Sequence, residues 1–126
     1  MRPSPARRAA YDVLHEVGAR GAYANLALSA HLSRFQMSRA DRGLATDLVY
    51  TTLRRRGTLD AVLATVVTRP LTEVDPRVLD LLRMATCEHM YLDKPAHAVV
   101  DSAVTLAASV GATSARGFVN GVMRTV

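Results

Sequence analysis

Tryptophan is absent, cysteine and lysine each occur once, and four tyrosines and two phenylalanines are the only aromatic residues in 126. A single cysteine excludes an internal disulfide and any multi-cysteine metal site, which suits a reducing cytosol. No apolar run approaches the ~18 residues of a membrane span. The opening M-R-P-S-P has no apolar core of a secretory signal. A soluble, cytoplasmic protein with no membrane partner is expected. Catalytic patterns are missing as well. Cys87 and His89 are two apart and do not share a helix face, and Cys87 has no activating base nearby in sequence, so a buried, inert thiol is expected. His15, His31, His89 and His97 make no H-E-x-x-H or comparable metal pattern. No glycine-rich loop follows a strand pattern, the carboxylates are scattered, and Asp41 and Asp75 are placed as helix caps. There is no internal repeat, low-complexity tract or convincing strand.

What the chain does have is a hydrophobic content of 49% and 15 arginines, with a net charge of +5. That content is enough for a folded core, and the length fits one domain. A mobile tail over residues 1–4 and a single domain over 5–126 are expected. The arginine-to-lysine ratio fits the codon bias of a GC-rich genome. That bias explains neither the net charge nor its clustering, and net positive charge attracts polyanions such as RNA.

The longest amphipathic stretch runs from Ser38 to Arg56. Ser38 and Asp41 form a capping box. Leu44, Ala45, Leu48, Val49 and Leu53 recur at helical spacing, and Gly57 is placed as the stop. Ahead of it, Ser4 caps a first helix with Pro5 at its first position, apolar Ala6, Ala10, Val13, Leu14 and Val17, and an end at Gly18. Asn25 is expected to cap a second helix with Leu28, Leu32 and Phe35 facing inward. Tyr23, just before it, is expected to pack as a staple rather than serve as a stacking platform for a base. Thr58 caps a fourth helix, apolar at Leu59, Val62, Leu63, Val66 and Val67 and ended by Pro70; Asp75-Pro76 starts a fifth ending near Tyr91, and Lys94-Pro95 a sixth ending at Gly111. The sixth is apolar on most sides and is expected to be the central buried helix. His97, just inside it, is expected to serve local packing or capping. Thr113 or Ser114 caps a seventh helix carrying Phe118, Val119, Val122 and Val126. That pattern is still running at Val126, as in a domain cut from a longer protein. Seven helices with short connections predict an all-α bundle.

The candidate binding residues are therefore cations. Arg2, Arg7 and Arg8 lie at one terminus, Arg39 and Arg42 open the third helix, and Arg54, Arg55 and Arg56 close it. Cations at a helix C-terminus suit the dipole, but three leave surplus charge. Arg7 and Arg8 sit at a helix N-terminus, the wrong end for cations, at ~0.3–1 kcal/mol each. Phosphate contact explains that placement, and so does local pairing of Arg8 with Asp12.

Three stretches carry a family resemblance. G-F-V-N-G-V-M-R, Gly117 to Arg124, resembles the signature of the NusB antitermination-factor family. D-P-R-V-L-D-L-L-R-M-A, Asp75 to Ala85, and P-A-H-A-V-V-D-S-A-V-T-L-A, Pro95 to Ala107, resemble its fifth and sixth helices. The resemblance runs from about Pro5 to the end. D-R-G-L-A-T-D-L-V-Y-T-T-L-R, Asp41 to Arg54, followed by Thr58-Leu59-Asp60, is similar to one branch, the N-terminal domain of RsmB (Sun or Fmu), a small-subunit rRNA cytosine-C5 methyltransferase. Thr51 stands where that branch more often has glycine.

The resemblance implies two packed three-helix bundles plus an extra helix, and RNA binding without catalysis. It places Arg7 and Arg8 on the family's RNA-contacting helix, while Arg2, Arg42, Arg54, Arg55 and Arg56 are candidates on charge alone. A monomer rather than a dimer is expected, although relatives in the family sometimes dimerise. The resemblance implies no cofactor here, and S-adenosylmethionine held by a separate catalytic domain that would also be a partner in the full-length protein. Cys87 carries none of that domain's catalytic role. A free-standing antitermination factor and a purely structural domain are the alternatives.

Overall fold

The structure, a computed structural model, describes residues 2–126. Of the expected mobile tail, Met1 lies outside the described residues. Ser4 is engaged: its Oγ accepts from the Arg7 backbone N–H at 3.2 Å and so opens α1 (Pro5–Arg20). This helix runs past Gly18. Its αL residue is Gly21 at φ 65°, whose N–H bonds the Glu16 carbonyl. Gly18, expected as the stop, stays helical, and Gly21 adopts the left-handed conformation that makes glycine the usual terminator.

α2 (Ala24–Arg34) starts from Tyr23 with no side-chain cap, and Asn25 lies inside it, exposed, rather than capping it. Ala27, Leu28, His31 and Leu32 turn inward. Tyr23 is 76% exposed and does not pack as a staple, and Phe35, expected inside, is 47% exposed. The inward stripe of α2 ends at Leu32, because extended backbone at Phe35 breaks the helical spacing that would carry the ring to the core.

α3 (Arg39–Arg54) has the expected Ser38 cap, with Oγ accepting from Asp41 N–H at 3.1 Å. It stops before its arginines are exhausted. Arg55 forms the turn, and α4 (Arg56–Val66) begins at once, with Gly57 and Thr58 inside it rather than ending one helix and capping the next. Leu59 and Leu63 are its buried line, and Val67 just past its end is buried as well. A 3₁₀ turn over Leu71–Glu73 leads to α5 (Pro76–Tyr91), capped by Asp75, whose Oδ1 accepts from Arg77 N–H at 2.9 Å. α6 (Ala96–Ser109) ends before Gly111 at φ 79°. A second 3₁₀ turn, Thr113–Ala115, takes the place of the expected cap, and α7 (Arg116–Thr125) follows.

α1, α2 and α3 pack together as one three-helix bundle and α5, α6 and α7 as another. α5 joins the halves by packing on α1 and α3, and α4 lies against α5 as the extra helix. The fold is all-α, as expected, but α5 rather than α6 is its centre. α5 buries Val78, Leu79, Leu81, Leu82, Met84, Ala85, Thr86, Cys87 and Glu88, while α6 buries only Val99, Ala103, Leu106 and Ala107. The apolar text of α6 hides that half of it faces outward. His97, on its first turn, is exposed rather than packed.

Candidate nucleic-acid interface

Burial pushes the Cys87 thiol up from its ordinary value, which makes it a poor nucleophile. Among the described residues no three histidine, cysteine or carboxylate side chains are grouped to hold a metal ion. What the surface offers is guanidinium: Arg39 is exposed at the start of α3, and the structure sorts the other seven candidate arginines sharply.

Arg7 turns inward. Its Nε donates to both carboxylate oxygens of Glu88 at 3.0 and 3.1 Å, Nη2 pairs with Glu88 Oε1, and Nη1 donates to Ser4 Oγ at 3.1 Å. The Glu88 side chain is 3% exposed and that of Arg7 19%. This is a fork-to-carboxylate pair joining α1 to α5 across the two bundles. Arg8 is tied as well: Nε donates to Asp12, and Nη1 donates to the Ser109 carbonyl at 2.8 Å and to Ser109 Oγ at 2.6 Å. Ser109 is the last residue of α6, where the dipole favours a cation. The misplacement of both arginines at the start of α1 thus has a structural cause and is no longer by itself a sign of phosphate contact. Arg2 is exposed, its guanidinium unpaired among the described residues.

Arg42 reaches back to the end of α2, where its Nη1 donates to the Leu32 carbonyl at 3.3 Å. Arg55 lies over the Tyr91 ring at 5.1 Å. Arg54 is exposed and makes no ion pair among the described residues. Arg56 lines a groove with Gly18 and Ala19 of α1, Asp60 of α4, and Asp80 and Arg83 of α5. That groove is electrically mixed. Arg83 is clamped by Asp60 at 2.6 and 3.0 Å, and His15 Nδ1 lies 3.0 Å from Asp80 Oδ2.

Two groups of guanidinium result, the second beside carboxylates, and they do not merge. Arg2 and Arg8 flank the start of α1, while Arg56 lies beside Gly18 near its end. About 15 Å of helix separates Arg8 from Gly18, more than the ~8 Å screening length in physiological salt. Sequence reasoning missed Phe35, which stands beside the first patch with Arg2 and Arg8. In sequence it reads as an inward residue three beyond Leu32, and nothing local marks it as exposed.

The NusB family profile matches residues 4–126. The chain belongs to the NusB family. Within it, the chain is 44% identical over 122 residues to a Mycobacterium tuberculosis protein described as a putative methyltransferase, a match covering 97% of this chain and 27% of that protein. It is 35% identical over 127 residues to a Bacillus subtilis protein described as a probable ribosomal RNA small subunit methyltransferase B, covering all of this chain and 28% of the relative. The Hahella chejuensis transcription antitermination protein NusB is 32% identical over 119 residues, 80% of its length. The chain therefore spans about a quarter of the methyltransferases it resembles and most of a free-standing NusB. Its fold matches that of a chain in the crystal structure of the antitermination factors NusB and NusE in complex with dsRNA. The TM-score is 0.86 at 21% identity, covering 96% of this chain and 92% of that one. Thermotoga maritima NusB gives 0.84 at 18% identity, covering 99% and 91%.

Proposed function

We propose that this chain is the non-catalytic, RNA-binding NusB-like domain at the N-terminal end of a small-subunit rRNA cytosine-C5 methyltransferase. Its work would be to hold rRNA so that a catalytic domain elsewhere in the protein reaches one cytosine. The observation that carries this reading is the 44% and 35% identity, over essentially the whole chain, to methyltransferases of which it matches about a quarter. The described residues do not suit S-adenosylmethionine: they contain no strand, and no glycine-rich strand-to-helix turn to receive it. That cofactor belongs, on this reading, to the other domain, and no chemistry is assigned to this one.

The RNA surface is Arg2 and Arg8 at the start of α1, with Arg54 and Arg56 as a second, separate patch. Arg7, Arg42 and Arg55 support these patches by holding α1, the α2–α3 corner and the end of α5 in place. Contacts of this kind are made chiefly to phosphate, so affinity should fall steeply with salt. The cytoplasm is where such an rRNA would be met, and a monomer is the form proposed. The second reading, a free-standing antitermination factor, is favoured by the 80% coverage of the Hahella chejuensis NusB. Reading the gene past codon 126 separates them: a methyltransferase domain in frame supports the first, and a stop codon overturns it.

A further inference from the structure

From Gly21 to Ser33 the chain carries no arginine, lysine or carboxylate. Its one titratable residue besides Tyr23, His31, is turned inward with Nε2 2.9 Å from Glu16 Oε1. α2 fills most of that stretch, and its outward face is bare of charge. Tyr23 at the N-cap is 76% exposed and Leu26 64%, the two most exposed of the large apolar side chains among the described residues. Ala30 and Ser33 follow Leu26 at helical spacing and are exposed as well. Ser33 Oγ donates to the Ser29 carbonyl at 2.8 Å, so its hydroxyl is spent within the helix. Single exposed apolar residues need no explanation. A whole outward face without charge does, because a surface helix ordinarily keeps its charged groups there.

The charge stands at the corners of this face. Arg20 ends α1 just before Tyr23, Arg34 ends α2, and Arg39 and Arg54 open and close α3. All four are exposed, and none is in an ion pair among the described residues. A short link joins α2 to α3, which makes the two helices antiparallel neighbours. Arg20 and Arg54 therefore lie toward one end of the face, and Arg34 and Arg39 toward the other. Against these four cations, α2 and α3 carry two carboxylates, Asp41 and Asp47. An apolar centre between two cationic ends is complementary to an amphipathic helix with an apolar stripe and carboxylates at both ends. We infer that α2 docks such an acidic helix, supplied by another protein and laid along the ~16 Å length of α2. RNA does not suit the face, since its phosphates would meet cations only at the ends and lie on Tyr23 and Leu26 between them. A second copy of the chain does not suit it either, since two α2 faces set together bring arginine corners against arginine corners. The inference is independent of the RNA-binding reading above and shares one residue with it, Arg54.

The test uses the 126-residue chain and a labelled helical peptide with leucines at i, i+3, i+4 and i+7 and glutamates at both ends. A second peptide has lysine in place of each glutamate. Fluorescence anisotropy should show the glutamate peptide bound and the lysine peptide not. Leu26→Ser should weaken binding of the glutamate peptide about 10- to 100-fold. Its helical content by circular dichroism and its affinity for an rRNA fragment should stay those of the parent. Arg20→Glu/Arg34→Glu should exchange the preference and take the lysine peptide over the glutamate one. Equal affinity for the two peptides overturns the docking site, and so does no binding of either. Leu26→Ser binding the glutamate peptide as tightly as the parent overturns it as well. An rRNA affinity that falls in Leu26→Ser gives the face to RNA instead. A dimer in sedimentation that Leu26→Ser dissolves gives it to a second copy, and binding to phosphatidylserine vesicles that Leu26→Ser abolishes gives it to a lipid surface; each of these outcomes overturns the acidic helix.

Discussion

Arg7 and Glu88 set the terms at the residue scale. A buried carboxylate is tolerable only with a well-placed partner, and removing one member of such a pair costs about 3–5 kcal/mol because the other stays buried and charged. Arg7→Ala is therefore expected to lower the unfolding free energy in urea by that amount. Glu88→Gln together with Arg7→Met, which removes both charges at similar volume, should recover most of it. An Arg7→Ala protein as stable as the parent would show that the pair contributes nothing to the fold. Two other residues give the pH dependence its shape. Hydrogen bonds from Arg77 hold the Asp75 carboxyl below its ordinary value. A depressed group contributes stability that is present above its unfolded value of about 3.9 and lost as pH falls through the folded one. Asp75→Asn keeps the cap and should flatten the acid limb of Tm against pH. Burial, then the charge of Asp80, pushes the Tyr11 phenol up. That contribution is present below about pH 10 and lost as pH rises toward the raised value, and Tyr11→Phe should remove this alkaline loss.

Among the elements, α5 shows why a central helix can look peripheral in sequence. Its polar residues are struts: Asp80 reaches His15, Arg83 reaches Asp60, and Glu88 reaches Arg7. Those partners lie 23 to 81 positions away, so no local pattern reveals them, and α5 reads as an ordinary amphipathic helix. The number of helices and the caps at Ser4, Ser38 and Asp75 were legible because capping is a short-range interaction. The choice between Gly18 and Gly21, and the break at Arg55, were not, since both depend on how the next helix packs. The cationic candidates were visible as residue types. Whether each faced solvent or a buried carboxylate was settled by tertiary partners alone. Local chemistry still predicts what small changes do. Gly43 in α3 and Gly121 in α7 have nothing within 4 Å of an added Cβ. Each glycine-to-alanine change should therefore raise stability by roughly 0.5–1 kcal/mol, read as a higher urea midpoint. Ser38→Ala should lower it by about 1 kcal/mol.

For the whole molecule, the proposal is that a NusB-family bundle presents two separated groups of arginines to RNA. Tertiary contacts hold Arg7 to a buried carboxylate, Arg42 to a carbonyl and Arg55 on a ring, and the proposed surface is Arg2 and Arg8 at the start of α1 and Arg54 and Arg56 at the α3–α4 junction. Patches more than a screening length apart should act nearly independently. The most direct measurement is the affinity of the 126-residue chain for a small-subunit rRNA fragment by fluorescence anisotropy across a salt series. It is repeated for Arg2→Ala/Arg8→Ala and for Arg54→Ala/Arg56→Ala. The account predicts log affinity falling linearly with log salt, and a slope reduced by about 0.7–0.9 for each phosphate that the variant no longer neutralises, with the two double variants roughly additive. An absence of binding at low salt, or a slope that neither double variant changes, would contradict it.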